Sequence, residues 1–204
     1  MNMEFQIKQV TFCYDKKPIL KGVTGGFRGA GLYGIFGPNG SGKTTLLNCI
    51  SCYIPFDEGQ ITLGSQDLAA LNEEELSKVR NLKLGFVFQD FMLLDGLTVR
   101  ENILLPAIIA GHISQETERS ADRLCEIFGI GHIAGKYPAE ISGGEKQRTA
   151  VCRALINEPL VILADEPTGN LDSKSSRAVI DSFLAAKKTM HATIFMVTHD
   201  SYAA

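Results

Sequence analysis

The stretch from Gly37 to Thr45 fits the phosphate-binding pattern G-x-x-x-x-G-K-[ST]. Its glycines let the backbone turn so that successive N–H groups point at one polyanion, and a helix behind the loop adds its positive end. We expect Lys43 to reach the β- and γ-phosphates of a nucleotide, and the Thr44 hydroxyl to bind Mg²⁺. The stretch therefore predicts a site for ATP and its magnesium ion. The residues predicted to surround the phosphates are Gly37, Pro38, Asn39, Gly40, Ser41, Gly42, Lys43, Thr44 and Thr45.

Two acidic residues, Asp165 and Glu166, follow the uninterrupted apolar segment 160–164. In open α/β sheets, ligands collect at the carboxyl ends of the strands. Asp165 is then suited to hold Mg²⁺ through water, and Glu166 to orient and deprotonate the water that attacks the γ-phosphate. A charged strand exit before Pro167 is the alternative, and the phosphate loop disfavours it.

Three single residues stand at the ends of other predicted strands. His199 follows an apolar segment and is suited to contact the γ-phosphate or to steady the attacking water. Gln89 closes another strand, where a glutamine is by itself typical of a solvated turn. Tyr14 ends the first strand, and two interpretations are equally good: a half-buried strand aromatic, or a ring on which a base stacks.

The segment Ser142-Gly143-Gly144-Glu145 is a capping box that opens a helix, which explains Ser142 and Glu145 without any ligand. Two glycines in a first helical turn cost about 1 kcal/mol each in helix propensity, so their presence indicates close approach to the backbone. An anion is the natural candidate. A symmetric dimer could bring one such helix start from each subunit onto each nucleotide.

Alternating strand patterns and helix caps supply the elements that position these residues. We expect strands at 5–12, at 20–27 after a turn at 16–18, and at 32–36, 60–63, 84–88, 160–164 and 193–197. We expect helices at 45–52, from Asn72 to before Leu84, from Thr98 to about Ala110, from Ser114 to Phe128, from Ser142 to about Ile156, and at 175–187. The pattern predicts an α/β fold in one domain, with residues 1–89 and 159–204 forming a nucleotide-binding core and residues 90–158 a helical insertion.

The composition excludes several other classes of protein. The chain has 204 residues, 45% of them hydrophobic, and a net charge of -3, so nothing overall favours nucleic acid. The longest apolar run, 103–111, contains Pro106 and is shorter than the ~20 residues of a membrane helix. No amino-terminal signal segment is expected. Five cysteines without regular spacing favour a reducing compartment, and the pair Cys49 and Cys52 is expected to pack in the core.

Taken together, these residues resemble the nucleotide-binding subunit of an ABC transporter. The resemblance implies a P-loop (RecA-like) core with an antiparallel β subdomain and an inserted helical subdomain. It implies that Tyr14 stacks on adenine, that Gln89 is the Q-loop glutamine and a magnesium ligand, and that His199 is the switch histidine. The remaining segments resemble the family's motifs as follows: 37–45 the Walker A loop, 142–147 the signature motif, 161–165 with Glu166 the Walker B strand and catalytic glutamate, and 169–172, including Asp172, the D-loop.

The same resemblance implies a function and partners. The family's cassette forms a head-to-tail dimer, closes on two ATP molecules and drives a separate membrane permease from the cytoplasmic face. Segments 163–172 and 88–94 resemble a branch that releases lipoproteins, exports macrolides or antimicrobial peptides, or transmits force across the envelope. A non-transport ABC ATPase and a nucleotide-dependent binding module with little turnover are the alternatives.

Three features bear on how closely the resemblance holds. Glu145 stands where glutamine is commoner in the family, and Asn170 where alanine is commoner, and neither change bears on ATPase activity. Segment 91–97 is apolar, which fits either a groove for a cytoplasmic helix of the permease or packing between the lobes. The chain stops five residues after His199, where the family usually continues, so we expect this end to fray.

Overall fold

The computed structural model describes residues 4–190 and 192–198 of the chain. These residues form two four-stranded sheets and six α-helices, with short 3₁₀ helices in the connections. The strands are β1 Glu4–Tyr14, β2 Lys17–Arg28, β3 Leu32–Ile35, β4 Glu58–Leu63, β5 Gln66–Asp67, β6 Leu84–Val87, β7 Val161–Asp165 and β8 Thr193–Val197. The helices are α1 Lys43–Ile50, α2 Glu73–Lys83, α3 Val99–Ile109, α4 Gln115–Ile127, α5 Gly143–Leu155 and α6 Ser173–Met190.

The first sheet is antiparallel, with strand order β2-β1-β4-β5. Its long hairpin turns at Asp15 and Lys16, whose φ angles of 47° and 65° suit the tight turn of a two-residue hairpin loop. The turn expected at 16–18 is therefore wrong, because Lys17 and Pro18 already pair with β1. Pro18 is tolerated there since β2 is an edge strand, where a missing N–H leaves no ladder bond unmade.

The second sheet is parallel, with strand order β3-β8-β7-β6. Alternate side chains of β7 enter two different cores: Val161 and Leu163 pack with α1 and the antiparallel sheet, whereas Ile162 and Ala164 pack with the helices of the other layer. Both faces of the strand are buried, which explains why its sequence is uniformly apolar rather than alternating.

Side-chain caps fix the starts of the helices that the sequence predicts. Reciprocal capping boxes are present at Asn72, Thr98 and Ser142, each with a glutamate three residues later. The expected start of the first helix at 45 is wrong. Gly42, with φ 91°, is the cap residue, so α1 begins at Lys43 and the phosphate loop runs directly into the helix.

The division of the chain into a core and a helical insertion at 90–158 stays a prediction. Helix α5 belongs to the predicted insertion, yet its Val151, Cys152 and Leu155 share one apolar core with residues of α3, β7 and α6. Among the residues described, no helix is long and apolar enough to cross a membrane.

All five cysteines are free thiols in the structure. Cys49 is fully buried in the core beneath the antiparallel sheet, as expected from the sequence. Burial raises the pKa of the Cys49 and Cys52 thiols to about 11, which keeps them protonated and unreactive near neutral pH.

Candidate nucleotide site

The parallel strands bring four predicted segments to one edge of the sheet. β3 leads into the phosphate loop, β7 ends at Asp165, and β6 leads to Gln89. β8, between β3 and β7, points its carboxyl end the same way. Residues far apart in sequence therefore meet where open α/β sheets bind ligands.

A cavity of about 370 Å³ lies at this edge, around the start of α1. Its lining contains seven residues predicted for the site and one that was not predicted, Ile19. A Cβ on Gly42 would lie 3.0 Å from the Ile19 Cγ2 atom, so the glycine lets the loop pass close to β2. Nothing in the sequence pattern near Ile19 signals this contact. The lining residues are Ile19, Asn39, Gly40, Gly42, Lys43, Thr44, Thr45 and Glu166.

Lys43 is the principal positive charge of the cavity, and the residue is only 8% exposed. Its Nζ atom donates hydrogen bonds to the main-chain oxygens of Gly37 at 2.9 Å and Pro38 at 3.1 Å. These bonds hold the ammonium group over the loop, where a phosphate oxygen would be a stronger acceptor than a neutral carbonyl.

Two oxygen-bearing side chains meet beside Lys43. The Thr44 hydroxyl donates to the Asp165 Oδ1 atom at 3.1 Å, which joins the start of α1 to the end of β7. Burial raises the pKa of Asp165, while the Thr44 hydrogen bond opposes that rise. A hydroxyl and a carboxylate are the oxygen ligands that Mg²⁺ prefers, and a cation here would offset the cost of burying the carboxylate. The residues present fit a magnesium ion.

Glu166 lines the cavity with a backbone conformation that is unusual for its type. Its φ angle is 43°, and its N–H donates to the Val197 oxygen at 3.0 Å while its own oxygen accepts from the Gly169 N–H at 3.0 Å. Positive φ in a non-glycine residue stores strain, which persists only where the surrounding structure fixes it. The fold thus holds this carboxylate at the cavity edge.

Gln89 does not line the cavity within the part of the chain that the structure describes. Its Nε2 atom donates to the Asn170 Oδ1 atom at 3.2 Å. The sequence predicts Gln89 as a site residue, but it gives no sign that Asn170 holds it.

The helix start at Ser142 also lies outside the lining of this chain's own cavity. The Ser142 N–H donates to the Glu145 Oε2 atom at 2.8 Å, and hydrogen bonds from Ser142 lower the pKa of Glu145. Asp172 plays a similar part at α6, where its Oδ1 accepts from the Ser175 N–H at 3.0 Å and hydrogen bonds from Ser175 lower its pKa. Internal hydrogen bonds therefore cap the starts of both α5 and α6.

The two remaining predicted residues differ in what the structure says of them. Tyr14 is 67% exposed, so its interpretation as a half-buried strand aromatic is wrong. The ring is open for stacking, although it does not line the phosphate cavity. His199 lies outside the described residues, and its role stays a prediction.

Comparison with known proteins places the chain in a family. Residues 20–169 match the ABC transporter family. The chain is 47% identical over 171 residues to YvcR of Bacillus subtilis, an uncharacterized ABC transporter ATP-binding protein. The aligned region covers 84% of the chain and 66% of that relative. It is 43% identical over 190 residues to the bacitracin export ATP-binding protein BceA of Halalkalibacterium halodurans. This alignment covers 93% of the chain and 75% of BceA.

A relative whose length is closer to that of this chain and a solved structure both support the same family. The lipoprotein-releasing system ATP-binding protein LolD of Bacteroides fragilis is 39% identical over 194 residues, covering 95% of the chain and 90% of the relative. The dimeric ATP-binding cassette MJ0796, bound to ADP and Pi, superimposes with a TM-score of 0.87 at 36% identity, covering 98% of the chain and 90% of that structure. The predicted fold class is thereby confirmed, and the chain belongs to the ABC transporter family as an ATP-binding cassette.

Proposed function

We propose that this chain binds ATP with Mg²⁺ in the cavity at the start of α1 and hydrolyses it to drive a separate membrane permease. The observation that carries the proposal is the hydrogen bond between Thr44 and Asp165, beside Lys43 and Glu166. This hydrogen bond joins two of the proposed magnesium ligands close to the proposed phosphate-binding lysine and the candidate base, which supports the proposal.

The proposed site residues have distinct roles in the reaction. Main-chain N–H groups of 39–45 bind the phosphates, and Lys43 exchanges its carbonyl partners for β- and γ-phosphate oxygens. Glu166 accepts the proton of the water that attacks the γ-phosphate, with His199 steadying that water. Tyr14 offers its exposed ring to the adenine.

Thr44, Asp165 and Gln89 are the proposed ligands of the magnesium ion, Asp165 through water. When bound, the ion would neutralise the negative charge that develops on the β- and γ-phosphate oxygens. The Thr44–Asp165 hydrogen bond supports this assignment, because it holds two oxygen atoms 3.1 Å apart at the edge of the cavity.

The active unit of this proposal is a head-to-tail homodimer. Among the described residues, the lining of the cavity does not include the helix start at Ser142, Gly143 and Gly144 of the same chain. In the dimer, the N–H groups at the start of α5, together with Asp172, meet the nucleotide held by the other subunit. The dimeric state of the cassette MJ0796 supports this arrangement.

The permease is proposed to dock in a second groove of about 280 Å³, between α2 and the residues after β6. Phe88, Met92, Pro106 and Arg153 contribute to its walls. Met92 is 59% exposed, which disfavours the alternative that segment 91–97 merely packs between lobes. Arg153 donates to the main-chain oxygens of Phe91 and Met92 and so braces this segment. A short cytoplasmic helix of the permease, apolar on one face, fits such a groove.

The process that we propose the ATPase to drive is export or mechanotransmission. The names of the relatives describe bacitracin export, macrolide export and lipoprotein release. The protein is proposed to act at the cytoplasmic face of the membrane through its permease.

Steady-state phosphate release from Mg–ATP tests the proposal directly. Glu166→Gln is expected to lower the rate by about 10²–10⁴-fold, since general base catalysis contributes that much, and Lys43→Ala to abolish nucleotide binding. Asp181→Asn, an exposed carboxylate on α6, is the matched control and should keep the parent rate. Equal, near-zero rates for the parent and Glu166→Gln, with nucleotide still bound, would contradict the ATPase and favour a binding module with little turnover.

A further inference from the structure

Asn170 connects two segments that are 81 residues apart through a single side-chain amide. Its Oδ1 accepts from Gln89 Nε2 at 3.2 Å, and its Nδ2 donates to the Gln89 main-chain oxygen at 3.4 Å and to Asp90 Oδ1 at 3.3 Å. A Cβ on Gly169 would lie 3.0 Å from Gln89 Nε2, so the glycine leaves room for the glutamine to lie against this loop.

The contact distinguishes the two ends of the Gln89 amide. The nitrogen donates to Asn170, whereas none of the hydrogen bonds between described residues involves the Gln89 Oε1 atom. The terminal torsion of a glutamine is broad and nearly two-fold, so an unrestrained amide exchanges its oxygen and nitrogen easily. A magnesium ion binds only the oxygen. By holding the nitrogen, Asn170 leaves the oxygen for the metal.

The loop that carries Asn170 is itself fixed relative to the carboxylates. The Gly169 N–H donates to the Glu166 oxygen at 3.0 Å, and the Leu171 N–H to the Thr168 oxygen at 3.1 Å. Thr168 is buried, which anchors the turn. The loop therefore holds Asn170, and with it the Gln89 amide, in a fixed position relative to Asp165 and Glu166 at the end of β7.

We propose that Asn170 is a positioning residue that orients the Gln89 amide with its oxygen toward the magnesium of the bound nucleotide. This inference rests on the proposed function, since it takes Gln89 as a ligand of that ion. Partners that orient a metal ligand commonly change metal affinity by about 10–100-fold, whereas an exposed amide hydrogen bond contributes about 2–10-fold. Asn170 is exposed, so we expect the lower range.

The experiment compares nucleotide affinity with and without the metal. In the Glu166→Gln protein, which is not expected to turn over, the affinity for a fluorescent ATP analogue is measured in excess EDTA and in saturating Mg²⁺. The ratio of the two affinities reports the contribution of the metal. Asn170→Ala is expected to lower this ratio about three- to tenfold while leaving the affinity in EDTA and the thermal midpoint unchanged.

A double-mutant cycle shows whether Asn170 acts through Gln89. In the Gln89→Ala background, adding Asn170→Ala should not change the ratio further, because the ligand that it orients is gone. Asp90→Asn, which keeps an oxygen beside Asn170 but removes a charge, is the matched control and should leave the ratio within about twofold.

Each other outcome overturns the inference in a recognisable way. An unchanged or increased ratio in Asn170→Ala, or an equal loss in the Gln89→Ala background, contradicts the positioning role and leaves the proposed function intact. No binding of the analogue by the parent, in EDTA or in Mg²⁺, contradicts the proposed function and the inference together.

Discussion

At the residue scale, two consecutive acidic residues of the site are held in arrangements that cost free energy. Glu166 adopts φ 43°, and burial raises the pKa of Asp165. Strain and buried charge of this kind persist where the surrounding structure fixes them, and they cluster at catalytic sites. Asp165 is the last residue of β7 and Glu166 follows it directly, so the end of one strand carries both unfavourable features.

The two glycines that begin α5 serve different purposes. A Cβ on Gly144 would lie 2.9 Å from Ser175 Oγ and 3.1 Å from Ser175 Cβ, whereas a Cβ on Gly143 would meet only ordinary contacts, the nearest at 3.5 Å. Close packing against α6 therefore explains Gly144 without a ligand. Gly143 has no such internal reason among the described residues.

Stability measurements on two alanine variants test this distinction. Gly144→Ala must displace Ser175, which costs about 1–3 kcal/mol and exceeds the ~1 kcal/mol gained in helix propensity. Gly143→Ala meets no such clash. Because each kcal/mol shifts the thermal midpoint of a domain of this size by about 2–4 °C, we expect the midpoint of Gly144→Ala to be about 2–12 °C below that of Gly143→Ala. Equal midpoints, or the reverse order, would show that Ser175 yields without cost.

At the element scale, local chemistry fixed by few residues was predictable. The capping boxes at Asn72, Thr98 and Ser142 are read directly from residues three positions apart, and the structure contains all three. The starts of α1 and β2 could not be predicted in this way, because they depend on the positive φ angles of Gly42 and of the Asp15–Lys16 turn. Such angles are set by what the loop must reach, which a local pattern does not contain.

Helices α3 and α4 are joined by an ion pair whose contribution depends on pH. Arg100 Nε donates to Asp122 Oδ1 at 2.8 Å, and this hydrogen bond lowers the pKa of Asp122. A carboxyl group with a lowered folded-state pKa stabilises the fold above its ordinary pKa of about 3.9, and that stabilisation is lost as pH falls through the folded-state value.

Urea unfolding of Asp122→Asn at several pH values tests this. At pH 7 the variant should lose about 0.5 kcal/mol, because the Asp122 side chain is 59% exposed and solvent screens the pair. The difference should shrink as pH falls below about 4 and disappear once the pH is below the lowered folded-state pKa of Asp122, and 0.5 M salt should reduce it at pH 7. A difference independent of pH would assign the effect to packing instead.

At the scale of the whole molecule, the order β3-β8-β7-β6 determines which predicted residues meet. The motifs individually predicted Lys43, Thr44, Asp165 and Glu166, and the parallel sheet brings them around one cavity. The contact of Gln89 with Asn170 and the contribution of Ile19 were not predictable, since both depend on how distant loops pack.

The single chain also leaves part of its predicted site outside its own cavity, and this leads to the last prediction. The start of α5 at Ser142 and Gly143 does not line the described cavity that holds Lys43. If the nucleotide is bound between the two, ATP should join two chains while hydrolysis is blocked. Sizing of Glu166→Gln should then show a monomer without nucleotide and a dimer with Mg–ATP.

Two further variants in the Glu166→Gln background show what holds that dimer together. Lys43→Ala should stay monomeric because it cannot bind the nucleotide. Gly143→Ala should bind ATP with parent affinity yet dimerise at least about tenfold more weakly, since a Cβ at that position crowds an anion approaching the N–H groups of α5. A Gly143→Ala protein that dimerises like its parent would place the second contact elsewhere than at this helix start, and a monomer in Glu166→Gln itself under Mg–ATP would remove the dimer from the mechanism.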